Sequence, residues 1–244
     1  MTTITRRRFL IGAGAMAAAA GMPLALRDAL AAGNMKVGEG DALLVIDVQN
    51  CFVPGGSLAV KGGDEIVPLI NRIAKAFRNV VLTQDWHTAD HVSFASQHGG
   101  KKPYESIKLG YGSQVLWPDH CVQGTDGAEL APGIEIPHAQ LIIRKGFHRE
   151  VDSYSAFLEA DRKTQTGLAG YLKGRNIKRV FLCGLATDYC VAWSALDARK
   201  FGFQAAVIED ASRGIDLNGS LSAAWKDMAK AGVKRIQSAD IAGA

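Results

Sequence analysis

Apolar residues in this chain come in short unbroken runs, separated by stretches where they recur every three or four positions. The runs lie at 42–47, 80–85, 141–145, 179–184, 204–210 and 233–236. The run at 42–47 is apolar until it ends in an acid, the pattern of a strand buried on both faces, and the others read as further short strands. Between them, apolar residues at 66, 67, 69, 70, 73, 74 and 77 predict a helix that Asp64 would cap. Further helices are expected over 164–174, 188–201 (closed by Gly202) and 220–231. Strand and helix alternate, which predicts an α/β protein: a doubly wound, mainly parallel sheet between two helical layers, in three-layer α/β/α order. Residues 86–137 fit neither period. This long Gly- and Pro-rich stretch with aromatics and histidines reads as a functional loop region. No repeat or linker divides 38–241, which is expected to form a single domain.

The first 32 residues have a different texture. Arg6-Arg7-Arg8-Phe9-Leu10 precedes a mildly apolar, alanine-rich segment that ends in Ala29-Leu30-Ala31. A charged head, a short apolar middle and a small-residue cleavage pattern describe an export signal, and the adjacent arginines resemble the twin-arginine type. The alternatives are an uncleaved anchor, for which the segment is short and alanine-rich, and a basic amphipathic start with no targeting role. The expectation is a removed leader at 1–32, a periplasmic or otherwise exported product, and no stable membrane association afterwards. The formal charge is +4, and four arginines with one aspartate place three of those charges within the leader. The remainder, near neutral, gives no electrostatic case for a nucleic-acid partner.

In an open parallel sheet, ligands bind beyond the carboxyl ends of the strands. Asp47, Asp85, Lys145 and the segment 184–190 all fall at those ends. Cys190 opens a predicted helix, where free N–H groups and the positive dipole end would lower a thiol's pKa and bind an oxyanion. A lone cysteine there is more often a small buried residue. Asp47 as base and Lys145 as cation on neighbouring strand ends favour a nucleophile. Asp85-Trp86-His87, followed by His91 and by His120 in Trp117-Pro118-Asp119-His120-Cys121, has donor types and spacing suited to a divalent metal. A D-x-H alone carries little weight, and His98, His138 and His148 read as surface residues. Of the four cysteines (51, 121, 183, 190), Cys183 reads as core. The even count is weak evidence for pairing, and the absence of C-x-x-C argues against thiol–disulfide exchange.

These motifs occur together in one order: Asp47-Val48-Gln49-Asn50-Cys51-Phe52, Gln84-Asp85-Trp86-His87, Trp117-Pro118-Asp119-His120-Cys121-Val122, Lys145-Gly146-Phe147 with Asp152-Ser153-Tyr154-Ser155-Ala156-Phe157, and Gly184-Leu185-Ala186-Thr187-Asp188-Tyr189-Cys190. The set resembles the isochorismatase-like cysteine hydrolases, and within them the nicotinamidase/pyrazinamidase group. The resemblance implies a catalytic triad of Asp47, Lys145 and Cys190. It also implies metal ligands Asp85, His87 and His120, with His91 as an additional or outer contact. Phe52 and Trp117 would sandwich a substrate ring with Tyr154 nearby, and the N–H groups of Ala186, after a cis peptide, and Cys190 would hold the oxyanion. The implied reaction is hydrolysis of a small aromatic amide, nicotinamide and also pyrazinamide, through a thioester. The implied cofactor is one divalent ion, Zn²⁺ with Fe²⁺ or Mn²⁺ as alternatives, and homo-oligomer assembly is left open. Rival readings are a hydrolase of carbamoyl or ureido amides and a non-catalytic periplasmic ligand-binding protein. Cys51 departs from the resemblance, which often has an acid before the phenylalanine. It would put a second thiol near the pocket, and an oxidising compartment would expose Cys190 to pairing with Cys51 or Cys121.

Overall fold

The computed structural model describes residues 35–244, so the leader expected at 1–32 lies outside the described residues. Six strands form one parallel sheet: β1 (Asp41–Ile46), β2 (Asn79–Asp85), β5 (Leu141–Lys145), β6 (Arg179–Leu185), β7 (Gln204–Arg213) and β8 (Lys234–Ile236). Their order across the sheet is β5-β2-β1-β6-β7-β8. β1 and β6, at the centre, are buried almost throughout. Their unbroken apolar runs divide between two cores by the alternation of a strand. Leu43, Val45, Phe181 and Cys183 face one core, with Ile66 and, on helix α1 (Val67–Ala74), Ile70 and Ile73. Ala42, Leu44, Val180 and Leu182 face the other, with helices α2 (Leu168–Gly174), α3 (Ala192–Lys200) and α4 (Ser220–Lys230). This is the three-layer α/β/α sandwich expected from the pattern. Among the described residues no helix is long and apolar enough to cross a membrane.

Four local features differ from expectation. Asp64 does not cap α1: residues 61–66 form turns, and the helix starts at Val67, one residue before Pro68, whose fixed φ suits a first turn. α2 starts at Leu168 rather than 164, because Gly167 at φ 94° sets its entry. The segment 188–201 opens with a wide π-type turn over Thr187–Val191 before α3 begins. The region 86–137 is not all loop: β3 (Ser106–Leu109) and β4 (Gly112–Val115) pair as an antiparallel hairpin that carries Gln114 toward the site.

Gly184 shows why the centre of the sheet admits no side chain there. Its φ is 114°, and a Cβ would stand 2.1 Å from the Ile46 carbonyl oxygen. The register between β6 and β7 shifts at this same point, freeing the end of β6 to swing into the turn that carries Cys190.

Candidate active site

Asp47 leaves β1 at φ 46°, Asp85 and Lys145 end β2 and β5 as register partners, and Cys190 follows β6. These are four consecutive strands of the sheet, so the expected convergence at the carboxyl edge is present. Lys145 is at its centre and fully buried. Its ammonium lies 2.8 Å from Asp47 Oδ2 and donates to Asp85 Oδ1 (2.5 Å), the Ser153 carbonyl (2.9 Å) and Cys190 Sγ (3.3 Å). Asp47 Oδ1 accepts from Thr83 Oγ1 at 2.5 Å, and the Asp47 N–H donates back to the same hydroxyl. Oδ2 makes the ion pair with Lys145 but has no aligned hydrogen-bond donor among the described residues. It is the carboxylate oxygen left open to receive a proton.

The charge pattern follows from burial. Burial works against the charged lysine, but Asp47 and Asp85 outweigh it and hold Lys145 well above its ordinary range. Burial pushes Asp47 up, against the pull of Lys145 and with help from the nearby Asp85 charge. Asp85 is also buried, yet Lys145 and the facing histidines hold it well below the usual carboxylate range. Cys190 differs from the sequence expectation. Burial, with Asp47 and Asp85 beside it, drives its thiol well above the ordinary value despite Lys145. At rest it is a thiol, not the thiolate that a helix N-terminus would favour.

Asp85 also faces a second group. His87 Nδ1 lies 2.8 Å from the Gly146 carbonyl, and His120 Nδ1 lies 2.8 Å from that of Pro118. Those acceptors place the ring protons on Nδ1 and leave both Nε2 atoms open, 3.6 and 3.8 Å from Asp85 Oδ2. Carbonyls that orient the outer ring nitrogen are the usual support of a histidine ligand. A buried donor set of two imidazoles and one carboxylate suits a divalent transition metal. Gly146 is required for this: at φ 65°, a Cβ there would stand 2.5 Å from the His87 ring. His91 stacks against His87 with ring centroids 4.2 Å apart. Both its ring nitrogens are engaged, with Ser93 Oγ (2.8 Å) and the Val151 carbonyl (3.3 Å). The cluster of Asp47, Asp85 and Cys190 also has metal-type donors, within 4.8 Å of one another, but Lys145 already occupies its middle.

Both groups open into one cleft walled by Phe52, Leu58, Trp117, Tyr154, Tyr189 and Ile215. Ala186, after the Leu185–Ala186 cis peptide, and Cys190 line it as well. The Trp117 indole N–H donates to the Tyr154 hydroxyl (2.9 Å), and Tyr189 meets its face edge-on. Phe52 packs 5.5 Å from the His120 ring. Every residue proposed from the sequence therefore comes to one place, with His91 behind His87.

Several residues went unnoticed in the sequence. Asp152 lines the cleft and accepts from Gln114 Nε2 at 2.7 Å, and Gln114 also reaches the Tyr154 hydroxyl. The Gln49 side chain pairs with the backbone of Asp85 in both directions and so fixes the end of β2. Asp152 and Gln49 lay inside recognised motifs, so their placement there was the available signal. Gln114 had only the alternating Ser106–Leu109 pattern before a glycine turn.

The Isochorismatase domain model matches residues 41–240. A nicotinamidase of Acinetobacter baylyi is 59% identical over 208 residues, covering 85% of this chain and 97% of its own length. Among solved structures, a nicotinamidase pyrazinamidase of Acinetobacter baumanii is 62% identical with a TM-score of 0.83, covering 84% of this chain and 99% of the other. The pyrazinamidase of Pyrococcus horikoshii in complex with zinc is 36% identical with a TM-score of 0.66, covering 81% and 99%.

Proposed function

The chain belongs to the isochorismatase family, and from that membership we propose that it hydrolyses nicotinamide to nicotinate and ammonia. The observation that carries the reading is the ammonium of Lys145, which touches Asp47, Asp85 and Cys190 at once and so joins the thiol to the metal-type donor set.

The chemistry follows from the charge states. Cys190 rests as a thiol because a thiolate beside two buried carboxylates is costly. Asp47, pushed up by burial, has an open Oδ2 and is matched to take the thiol proton as sulfur attacks the carboxamide carbon. Lys145 stays charged throughout and offsets the negative charge that passes between them. The N–H groups of Ala186 and Cys190 are assigned to the oxyanion, and one such donor typically contributes about 10²–10³ in rate. Asp47 returns its proton to the departing nitrogen, which leaves as ammonia from a Cys190 thioester. Water cleaves the thioester, releasing nicotinate and restoring the thiol. Phe52 and Trp117 hold the ring from two sides, with Tyr154 fixing the indole.

Asp85, His87 and His120 would hold a divalent ion, which when bound supplies a Lewis-acid contact to the ring nitrogen and so orients the amide toward Cys190. Zinc suits the mixed imidazole and carboxylate donors and is the ion named with the Pyrococcus relative. Fe²⁺ and Mn²⁺ take the same two-imidazole, one-carboxylate donors and are the alternatives. Pyrazinamide, with the same ring geometry, is the expected second substrate.

The purified chain should release ammonia from nicotinamide and pyrazinamide and contain one divalent ion per chain. Faster turnover of carbamoyl or ureido compounds than of either aromatic amide would overturn the substrate reading. We also assign residues 1–32 to twin-arginine export, on the arginine pair and the apolar, alanine-rich segment after it. Replacing Arg6, Arg7 and Arg8 by lysine should leave the precursor in the cytoplasm, and unchanged secretion would refute that route.

A further inference from the structure

Cys51 and Cys121 are joined by a disulfide across 70 residues of sequence, and both are buried. Their Cα atoms are 5.7 Å apart, a spacing that a disulfide spans without moving the backbone. Each half of the bond adjoins residues of the site. Cys51 precedes Phe52, and its carbonyl accepts from the N–H of Leu58, so it holds two walls of the cleft. Cys121 follows His120, and its carbonyl accepts from the His87 N–H at 3.0 Å, so it holds two of the metal-type donors. Among the described residues no hydrogen bond joins 50–52 to 120–122, and besides the disulfide the Phe52–His120 ring contact links them. The remaining two cysteines are free: Cys183, on β6, is buried in the core, and Cys190 is the proposed nucleophile.

We propose that the Cys51–Cys121 disulfide is a positioning element of the active site. It clamps the loop of Phe52 and Leu58 onto the loop of His120 and His87, so the protein works with one cysteine pair oxidised and Cys190 reduced. The inference rests on the functional reading above. A bond of purely structural value would contribute to stability wherever it lay. This one sets the distance between a ring wall and a metal donor, so its loss should appear in substrate and metal binding. Residues that support metal ligands typically change metal affinity by about 10–100-fold when altered. An oxidising compartment would maintain the bond, and the proposed export would deliver the chain to one.

The test uses the zinc-loaded mature chain before and after a phosphine reductant. The reductant converts the disulfide and one water into two thiols and a phosphine oxide, and it leaves the Cys190 thiol unchanged. Titration of the denatured protein should find two thiols before treatment and four after. After desalting, the reduced protein should keep its far-UV circular dichroism but lose zinc to a chelator about ten-fold faster. Its KM for nicotinamide should rise several-fold with a smaller change in kcat. The Cys51→Ala/Cys121→Ala double variant should reproduce these shifts without reductant. Four thiols in the untreated protein would overturn the proposal. So would zinc release and KM within two-fold in both states, or a loss confined to melting temperature. If the oxidised protein releases no ammonia from nicotinamide, the activity reading fails, and the zinc-release comparison still decides the positioning role.

Discussion

Cys190→Ala abolishes amide turnover while the fold and the metal content persist; a fall in kcat of about 10⁴-fold or more is expected, as for loss of a covalent nucleophile. The substitution removes one buried sulfur from the wide turn before α3 and leaves Ala192, Ala195 and Ala198 packed as before. No charge is orphaned: Lys145 keeps Asp47, Asp85 and the Ser153 carbonyl. Melting temperature should therefore move by only a few degrees, and the variant should still bind nicotinamide in an equilibrium assay. Because the resting thiol is protonated, Cys190→Ser should not rescue the reaction: a hydroxyl is a poorer acid than the thiol for the same base. Retention of a tenth of wild-type ammonia release by the alanine variant would exclude Cys190 as the nucleophile.

Lys145→Met should be the most damaging single change to stability in the site. It leaves the buried carboxylates of Asp47 and Asp85 facing one another with no cation between them. Removing one partner of a buried ion pair typically costs about 3–5 kcal/mol. At roughly 2–4 °C per kcal/mol for a protein of this size, the melting temperature should fall by about 10 °C. The double variant Lys145→Met/Asp47→Asn removes one of the two stranded charges and should recover part of that loss. It should recover no activity, since both the base and the cation are then missing. A double variant no more stable than Lys145→Met, in a thermal melt at neutral pH, would show that the Asp47 charge is not what Lys145 neutralises.

The central strands β1, β2 and β6 were legible because each is buried on both faces and so appears as a nearly unbroken apolar run. The residues ending those runs were legible as a site because the carboxyl edge of a parallel sheet gathers them. What escaped notice was decided by tertiary contact. Gly167 and Pro68 set helix starts through backbone conformation that the apolar period does not record. The hairpin of β3 and β4 is four residues a side, too short for its alternation to stand out. The Cys51–Cys121 pairing depends on two loops meeting across the cleft, which no local spacing reveals. The thiol of Cys190 shows a local rule overruled. A helix start favours the thiolate, but burial beside Asp47 and Asp85 outweighs it. The histidine roles divide on contacts as small as one carbonyl: His87 and His120 each have a ring nitrogen open toward Asp85, while both nitrogens of His91 are engaged.

Lys145, the cation on which both halves of the site depend, is carried by β5, the outermost strand, which has β2 as its one neighbour in the sheet. Ile142 on that strand is 48% exposed, and Arg144 lies over the Trp86 ring along the same border. A border strand is the part of a sheet most open to fraying and to capture by a foreign strand. Heat, mild denaturant or edge-to-edge aggregation would thus disable the chemistry before the central strands notice, and enzymatic assay would register the first breath of unfolding ahead of any spectroscopic signal.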